Sequence, residues 1–383
     1  MRNDIKRAFE RIDRQDTRVQ LMRIAACLIV ICCHIRLRPF TPGGEPDMST
    51  LAVNSFFYEG VCIFFCITGF FLFRTKSYKK LLKRSVLKIL LPATVLVLAT
   101  LLINDWATGK RSLIDCITAP DIDWSLFGLS LLAADPHMIM HTAHLWYIVT
   151  YMFIIVSFPV LRLICAPGDN AKKARKLIFL IGVIGIVLQD VQQIFIVPRI
   201  SVFSIFPITF VYVIAGYSLY ERRDMFRGSI KARLLAIAGI IAATVLRLMV
   251  QQPVLLRVPE NDYFFHSSTF PGVIFTISFV ILFLTFGENK GKVRRVVNFL
   301  GGNTFNIYLL HVLVYAKLAS TGVRKAFEGF FIGRIDTLFG EIGYTVSYCI
   351  TVFLITLAIS LIFKGVAFFL KCSGRKLFKK TNE

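Results

Sequence analysis

Charge is scarce in this chain. Asp, Glu, Lys and Arg together make 18% of the 383 residues, against about 25% in an ordinary soluble domain. Acid is scarcer still, with 23 Asp and Glu facing 45 Lys and Arg, a formal charge of +22. Cysteine is present without a pairing pattern. Cys27, Cys32, Cys33, Cys62, Cys66 and Cys349 lie inside apolar runs, Cys165 and Cys372 in basic segments, and Cys116 alone among polar neighbours. That excludes a disulfide framework, and no Cys/His spacing marks a metal site. Thiols in apolar runs pack as small hydrophobes. No internal repeat and no appended soluble domain is visible. The charged first twenty residues lead into no short hydrophobic core with a small-residue cleavage site, so no removable signal peptide is expected. A soluble protein of this charge would point to nucleic acid. In a membrane protein the same excess marks the cytoplasmic face.

Apolar residues are what the chain has in plenty. They make 56% of it, including 36 Phe, with a mean hydropathy of +0.66. They arrive in runs near the ~20 residues that cross a bilayer. Ten spans are expected, at about 20–38, 51–73, 86–103, 144–164, 177–196, 203–220, 234–251, 269–286, 303–318 and 342–364. Pro92, Pro159 and Pro207 fall inside spans, which neighbouring helices tolerate in a bundle. With the N-terminus inside, the cytoplasmic segments carry 32 of the 45 Lys and Arg and the outer ones 9. The bias predicts an all-α polytopic membrane protein with both termini cytoplasmic. The expected layout is a basic N-terminus (1–19), a membrane domain (20–364) and a basic tail (365–383). The longest loop, about 104–143, lies outside and contains a candidate surface helix at 124–134.

Polar residues inside a bilayer are costly and suggest function. The first span holds Arg23 near its inner end and His34 near its outer end. Eleven residues separate them, about 16 Å along a helix and roughly 20° in azimuth, so they share a face. Glu59, Gln189, Asp190, Gln192, Gln193, Arg247 and Gln251 collect toward the outer halves of other spans. Depth alone pairs Glu59 with His34 and Asp190 with Arg247. Inside, Arg74, Lys76, Lys79, Lys80, Lys83, Arg84 and Lys88 form the densest basic stretch, able to hold phosphates. Each has an ordinary reading as well: a snorkelling anchor for Arg23, a hydrogen-bonded packing residue for His34, structural ion pairs, and headgroup contacts for the basic loop.

The ordered set of motifs resembles the acyltransferase-3 family of multi-pass membrane acyltransferases. It comprises Arg23-IAACLIVICC-His34, FFCITGFFLF from Phe64 to Phe73, and a basic segment, Lys83-Arg84-SVL-Lys88, ending at Pro92. HLWY from His144 to Tyr147, VYVIAGYSLY from Val211 to Tyr220 and GNTFNIYLLH from Gly302 to His311 complete it. Thr68 stands where the family usually has Ser, and Cys62 where many members have an acid, leaving Glu59 as the candidate carboxylate partner of His34. Arg84 and Lys88 replace a two-arginine spacing.

The resemblance implies transfer of an acyl group, usually acetyl, from cytoplasmic acyl-CoA to a hydroxyl of an extracytoplasmic cell-envelope carbohydrate, at a bacterial plasma membrane. His34 would be the acid–base residue, with Glu59 beside it. Arg23, Arg74, Lys83, Arg84 and Lys88 would contact the acyl-CoA phosphates. Thr68, His144, Trp146, Tyr147, Asp190, Arg247 and His311 would line the substrate site. The expected partners are acyl-CoA, a hydroxyl acceptor and the lipid bilayer; no nucleic acid, resident cofactor or metal is expected. Direct transfer and an acyl-histidine relay both stay open. So do two other readings, a transporter of a small solute or acylated precursor and a non-catalytic recognition module. The lack of a halved repeat weighs against transport.

Overall fold

The protein is described here by a computed structural model covering residues 16–35, 40, 44–120, 143–195, 209–257, 269–331 and 338–380. Among these residues the fold is all-helical, with one isolated bridge between Phe40 and Pro46 and no strand. In chain order the helices are α1 (Thr17–His34), α2 (Met48–Phe56), α3 (Gly60–Leu72), α4 (Tyr78–Ser85), α5 (Leu91–Ala107), α6 (Leu113–Thr118), α7 (Trp146–Val156) and α8 (Phe158–Ile164). Then come α9 (Asp169–Phe195), α10 (Thr209–Glu221), α11 (Arg223–Phe226), α12 (Ile230–Arg257), α13 (Phe270–Leu284), α14 (Gly291–Gly301), α15 (Thr304–Ser320), α16 (Val323–Phe331) and α17 (Leu338–Lys380).

All ten expected apolar segments meet helix. Among the described residues, five helical stretches are long and apolar enough to cross a membrane: Thr17–His34, Met48–Leu72, Tyr78–Ala107, Ile230–Leu256 and Leu338–Val366. A sixth forms if α7 and α8, bent by 64° to one another, make one broken span. Pro159 begins α8 at that bend, so it breaks its span rather than riding inside it. Proline has no N–H to give to the preceding turn. Pro92 is handled differently. A π-helical turn at Val86–Leu90, closed by the Leu91 N–H on the Val86 carbonyl, precedes it and keeps the run to Ala107 continuous. The second expected span is broken at Phe57–Glu59, between α2 and α3. The last helix runs to Lys380, past the expected end at 364, because no Gly–Pro signal stops it. Asp105 and Trp106, expected in the outer loop, belong to α5. The candidate surface helix at 124–134 and Pro207 lie outside the described residues.

Helix α1 is the hub. It packs on α3, α13, α14, α15 and α17, and is capped by Asp16, whose carboxylate accepts from the Arg18 N–H at 3.0 Å. A central helix with an apolar circumference has to be surrounded, and Met22, Ala26 and Cys27 are fully buried. The outer helices instead show Leu177, Ile181, Ile184, Leu235, Ile241, Met249, Leu354 and Ile362 to the surroundings. That is the pattern of a protein whose periphery meets lipid.

Helices α3 and α10 pack closely along their length. A Cβ on Gly69 would meet the Val213 carbonyl, and one on Gly216 would meet the Cys66 carbonyl. The glycines of the two aromatic motifs therefore face each other, and backbones come close where neither helix has a side chain, as in membrane helix pairs generally.

Candidate active site

Where α1, α3, α4, the π-helical turn after it, α7, α10, α14 and α15 converge, they line a cavity of about 720 Å³. Arg23, Arg74, Arg84 and Lys88 line it. Arg84 and Lys88 share a helix face at i, i+4, and the π turn carries Lys88 into the wall. Lys83, expected with them, is one position off that face. It is exposed and outside the lining. None of the four cations has an ion pair among the described residues. The one carboxylate in the lining, Asp16, is taken by Arg18, through Nε at 3.1 Å and Nη2 at 2.9 Å. Aromatic faces hold two of the three arginines instead. The guanidinium of Arg23 lies 5.7 Å from the Phe71 ring centre, and that of Arg74 lies 4.6 Å from the Tyr220 ring. Such contacts contribute about 0.5–2 kcal/mol each and leave the N–H groups available. The result is a cavity with four positive charges that repel one another until an anion enters.

At another part of the lining stand Thr68, Tyr147, Tyr151 and Tyr308. Tyr308 belongs to two places at once. It lines the cavity, and its ring centre lies 5.4 Å from that of His144 and 5.9 Å from that of His311. Its hydroxyl donates to the His144 carbonyl.

Beyond it the fold gathers three histidines distant in sequence. The ring centre of His34 lies 5.1 Å from that of His311 and 6.2 Å from that of His144, and the latter two are 5.0 Å apart. His34 closes α1, His144 sits in a 3₁₀ turn at Ala143–Leu145, and His311 rides on α15. His311 Nδ1 lies 2.7 Å from the Tyr308 carbonyl, and His144 Nε2 lies 3.3 Å from the Leu309 carbonyl. A carbonyl only accepts, so each of these nitrogens carries its hydrogen. His144 and His311 are buried while His34 is half-buried, so His34 is the ring a substrate can reach. Among the described residues no three His, Cys, Asp or Glu side chains are placed to hold a metal ion.

The expected pairs re-sort. Glu59 forms a buried ion pair with Arg247, not a contact with His34. Arg247 also donates to the Thr269 hydroxyl at 2.9 Å and the Ser55 carbonyl at 3.4 Å. Asp190, expected on Arg247, accepts the Phe270 N–H at 2.7 Å and so caps α13. Gln251 accepts from the Ser55 hydroxyl at 3.0 Å. The node ties the α2–α3 break to α9, α12 and α13. Depth along separate helices could not give this pairing, because it depends on which helices are neighbours. Trp146 packs its ring against Phe65 at 6.3 Å and is outside the cavity lining. Gln192 and Gln193 lie on α9, and their side chains are outside what the structure describes.

Tyr308, Tyr151, Tyr220 and Ser85 went unnoticed in the sequence. A signal existed for two of them. Tyr308 is three residues before His311 in the YLLH motif, one turn away on the same face, and Tyr220 closes the aromatic motif of α10.

A family model for an acyltransferase domain matches residues 16–361. No curated protein and no solved structure matches the chain.

Proposed function

The chain belongs to the acyltransferase-3 family and is a membrane acyltransferase; on that premise we propose that it moves an acetyl or similar acyl group from cytoplasmic acyl-CoA to a hydroxyl of an extracytoplasmic carbohydrate. The observation that carries this reading is the cavity of four unpaired cations, walled in part by Tyr308, which in turn touches the histidine cluster. A nucleotide thioester is a polyanion joined to a long neutral arm ending in a thioester. Arg74, Arg84 and Lys88 would take phosphates by charge-assisted hydrogen bonds. Arg23 stands deeper, and the arm would pass Thr68 and Tyr147 toward the histidines.

His34 then serves as general base. It takes the proton of the acceptor hydroxyl as that oxygen attacks the thioester carbonyl carbon. The carbon–oxygen bond forms, the carbon–sulfur bond breaks, and the proton passes to the leaving thiolate. The Tyr147 hydroxyl would donate to the developing oxyanion, since the Thr68 hydroxyl donates to the Phe64 carbonyl at 2.9 Å. The acceptor would reach His34 from the side away from the basic cavity. The Lys and Arg bias supports ten spans with both termini inside, an arrangement that would have the basic cavity at the cytoplasmic face of a bacterial plasma membrane and His34 toward the outer one.

The test is incubation of purified protein with radiolabelled acetyl-CoA and envelope glycan fractions. Label is expected on a glycan with the parent protein and none with His34→Ala, at equal thermal stability. Undiminished transfer by His34→Ala would sink the mechanism. Release of free acetate with no labelled glycan would sink the acceptor class.

A further inference from the structure

We propose that His311 is a positioning residue for His34, accepting a hydrogen bond from the His34 ring through Nε2 as His34 takes up its proton. The inference rests on the acyl-transfer reading of the site and adds a residue to it. Three observations carry it. His311 is fully buried, and its ring centre is 5.1 Å from that of His34. Its Nδ1 hydrogen is committed to the Tyr308 carbonyl at 2.7 Å. Its Nε2 makes no hydrogen bond among the described residues. In the neutral ring that nitrogen is a bare acceptor, and a buried acceptor left unmade is costly. A general-base histidine needs such an acceptor, because its second N–H must be held while the ring becomes an imidazolium. Carboxylates usually take this part. Here Glu59, the carboxylate that sequence alone placed nearest, is given to Arg247.

The helix explains the placement. Tyr308 and His311 stand one turn apart on α15, so one helical face supplies the wall of the cavity and the acceptor behind His34. The carbonyl that orients His311 is that of Tyr308 itself. A shift of the tyrosine therefore turns the imidazole.

Two substitutions separate this role from a packing role. Asn at 311 can keep a donor near Nδ1 for the Tyr308 carbonyl but has no atom at Nε2. Gln reaches the Nε2 position with an acceptor oxygen and gives up the bond to the carbonyl. Full-length His311→Asn and His311→Gln are compared with parent in nanodiscs, with acetyl-CoA and the labelled glycan. The expected result is that His311→Asn loses about 10- to 100-fold in kcat, with donor KM within threefold, and that His311→Gln recovers most of the loss. Parent-like kcat in His311→Asn, or rescue by Asn and not Gln, overturns the proposal and leaves His311 as packing.

A second readout does not use transfer. The rate at which diethyl pyrocarbonate modifies His34, followed by peptide mass spectrometry, reports the nucleophilicity of that ring. It is expected to fall in His311→Asn and to stay near parent in His311→Gln. An unchanged rate in His311→Asn overturns the positioning role even if no acceptor is found. Absence of transfer in the parent protein, with the modification pattern as expected, overturns the acyl-transfer reading alone.

Discussion

Arg23 and Arg247 both sit in apolar helices, and the fold treats them in opposite ways. Arg247 is 2% exposed and neutralised, with Glu59, the Thr269 hydroxyl and the Ser55 carbonyl around its two terminal nitrogens. Arg23 has no ion pair or hydrogen bond among the described residues. It touches an aromatic ring and faces a cavity shared with three other unpaired cations. Hydropathy rates the two alike. A buried charge that has found its counter-charge holds helices together. One that opens on a cavity without a counter-charge ties no helices together by ion pairing, and under the proposed function it is the donor's phosphates that would neutralise it.

The contrast can be broken from the sealed side first. Glu59→Leu leaves the Arg247 guanidinium buried without its carboxylate, a loss of about 3–5 kcal/mol. A steep fall in thermal stability in detergent is expected, and Glu59→Leu with Arg247→Met should recover most of it. Parent-like stability of the single variant would mean that the node holds nothing.

The open side should behave the other way. Arg23→Ala removes charge-assisted hydrogen bonds to the donor, about 1.5–3 kcal/mol, read as a ten- to hundredfold rise in acetyl-CoA KM at unchanged melting temperature. If instead stability falls and KM holds, Arg23 is a second Arg247 and the distinction fails.

Gly216→Val probes the wall between the two regions. A Cβ at 216 already meets the Cys66 carbonyl, so α3 and α10 must separate, at about 1–3 kcal/mol. Thr68, Phe71 and Tyr220 would shift with them, and both stability and donor KM should suffer. The smallest effect sharpens the boundary of the cavity. Lys88→Ala is expected to raise donor KM a few-fold, and Lys83→Ala less, since Lys88 lines the cavity and Lys83 does not. Equal effects would place Lys83 in the site after all.

How much of this was legible beforehand depended on whether the relevant distance ran along the chain or across it. Arg23 and His34 were readable as a pair, because one helix carries both and its geometry is known in advance. The basic segment was readable as a cluster, and Arg84 and Lys88, four apart, do share the cavity. The twin glycine motifs were visible as motifs, and their mutual contact was not. The partner of Glu59 was misassigned, since depth ranks residues without saying which helix adjoins which. His144 and His311 stood out only as members of motifs, and their meeting with His34 needed α1, α15 and the turn before α7 in place.

Composition and periodicity alone determined that the chain is helical and apolar, where its helices lie, and that cations concentrate on particular loops. These follow from local propensity, hydrogen bonding within each helix and the cost of charge in lipid. The tertiary structure decided which arginine is neutralised and which faces an open cavity, and that three histidines become one cluster. Those outcomes depend on helix neighbours and azimuth, set by close packing of glycines and aromatics between segments far apart in the chain.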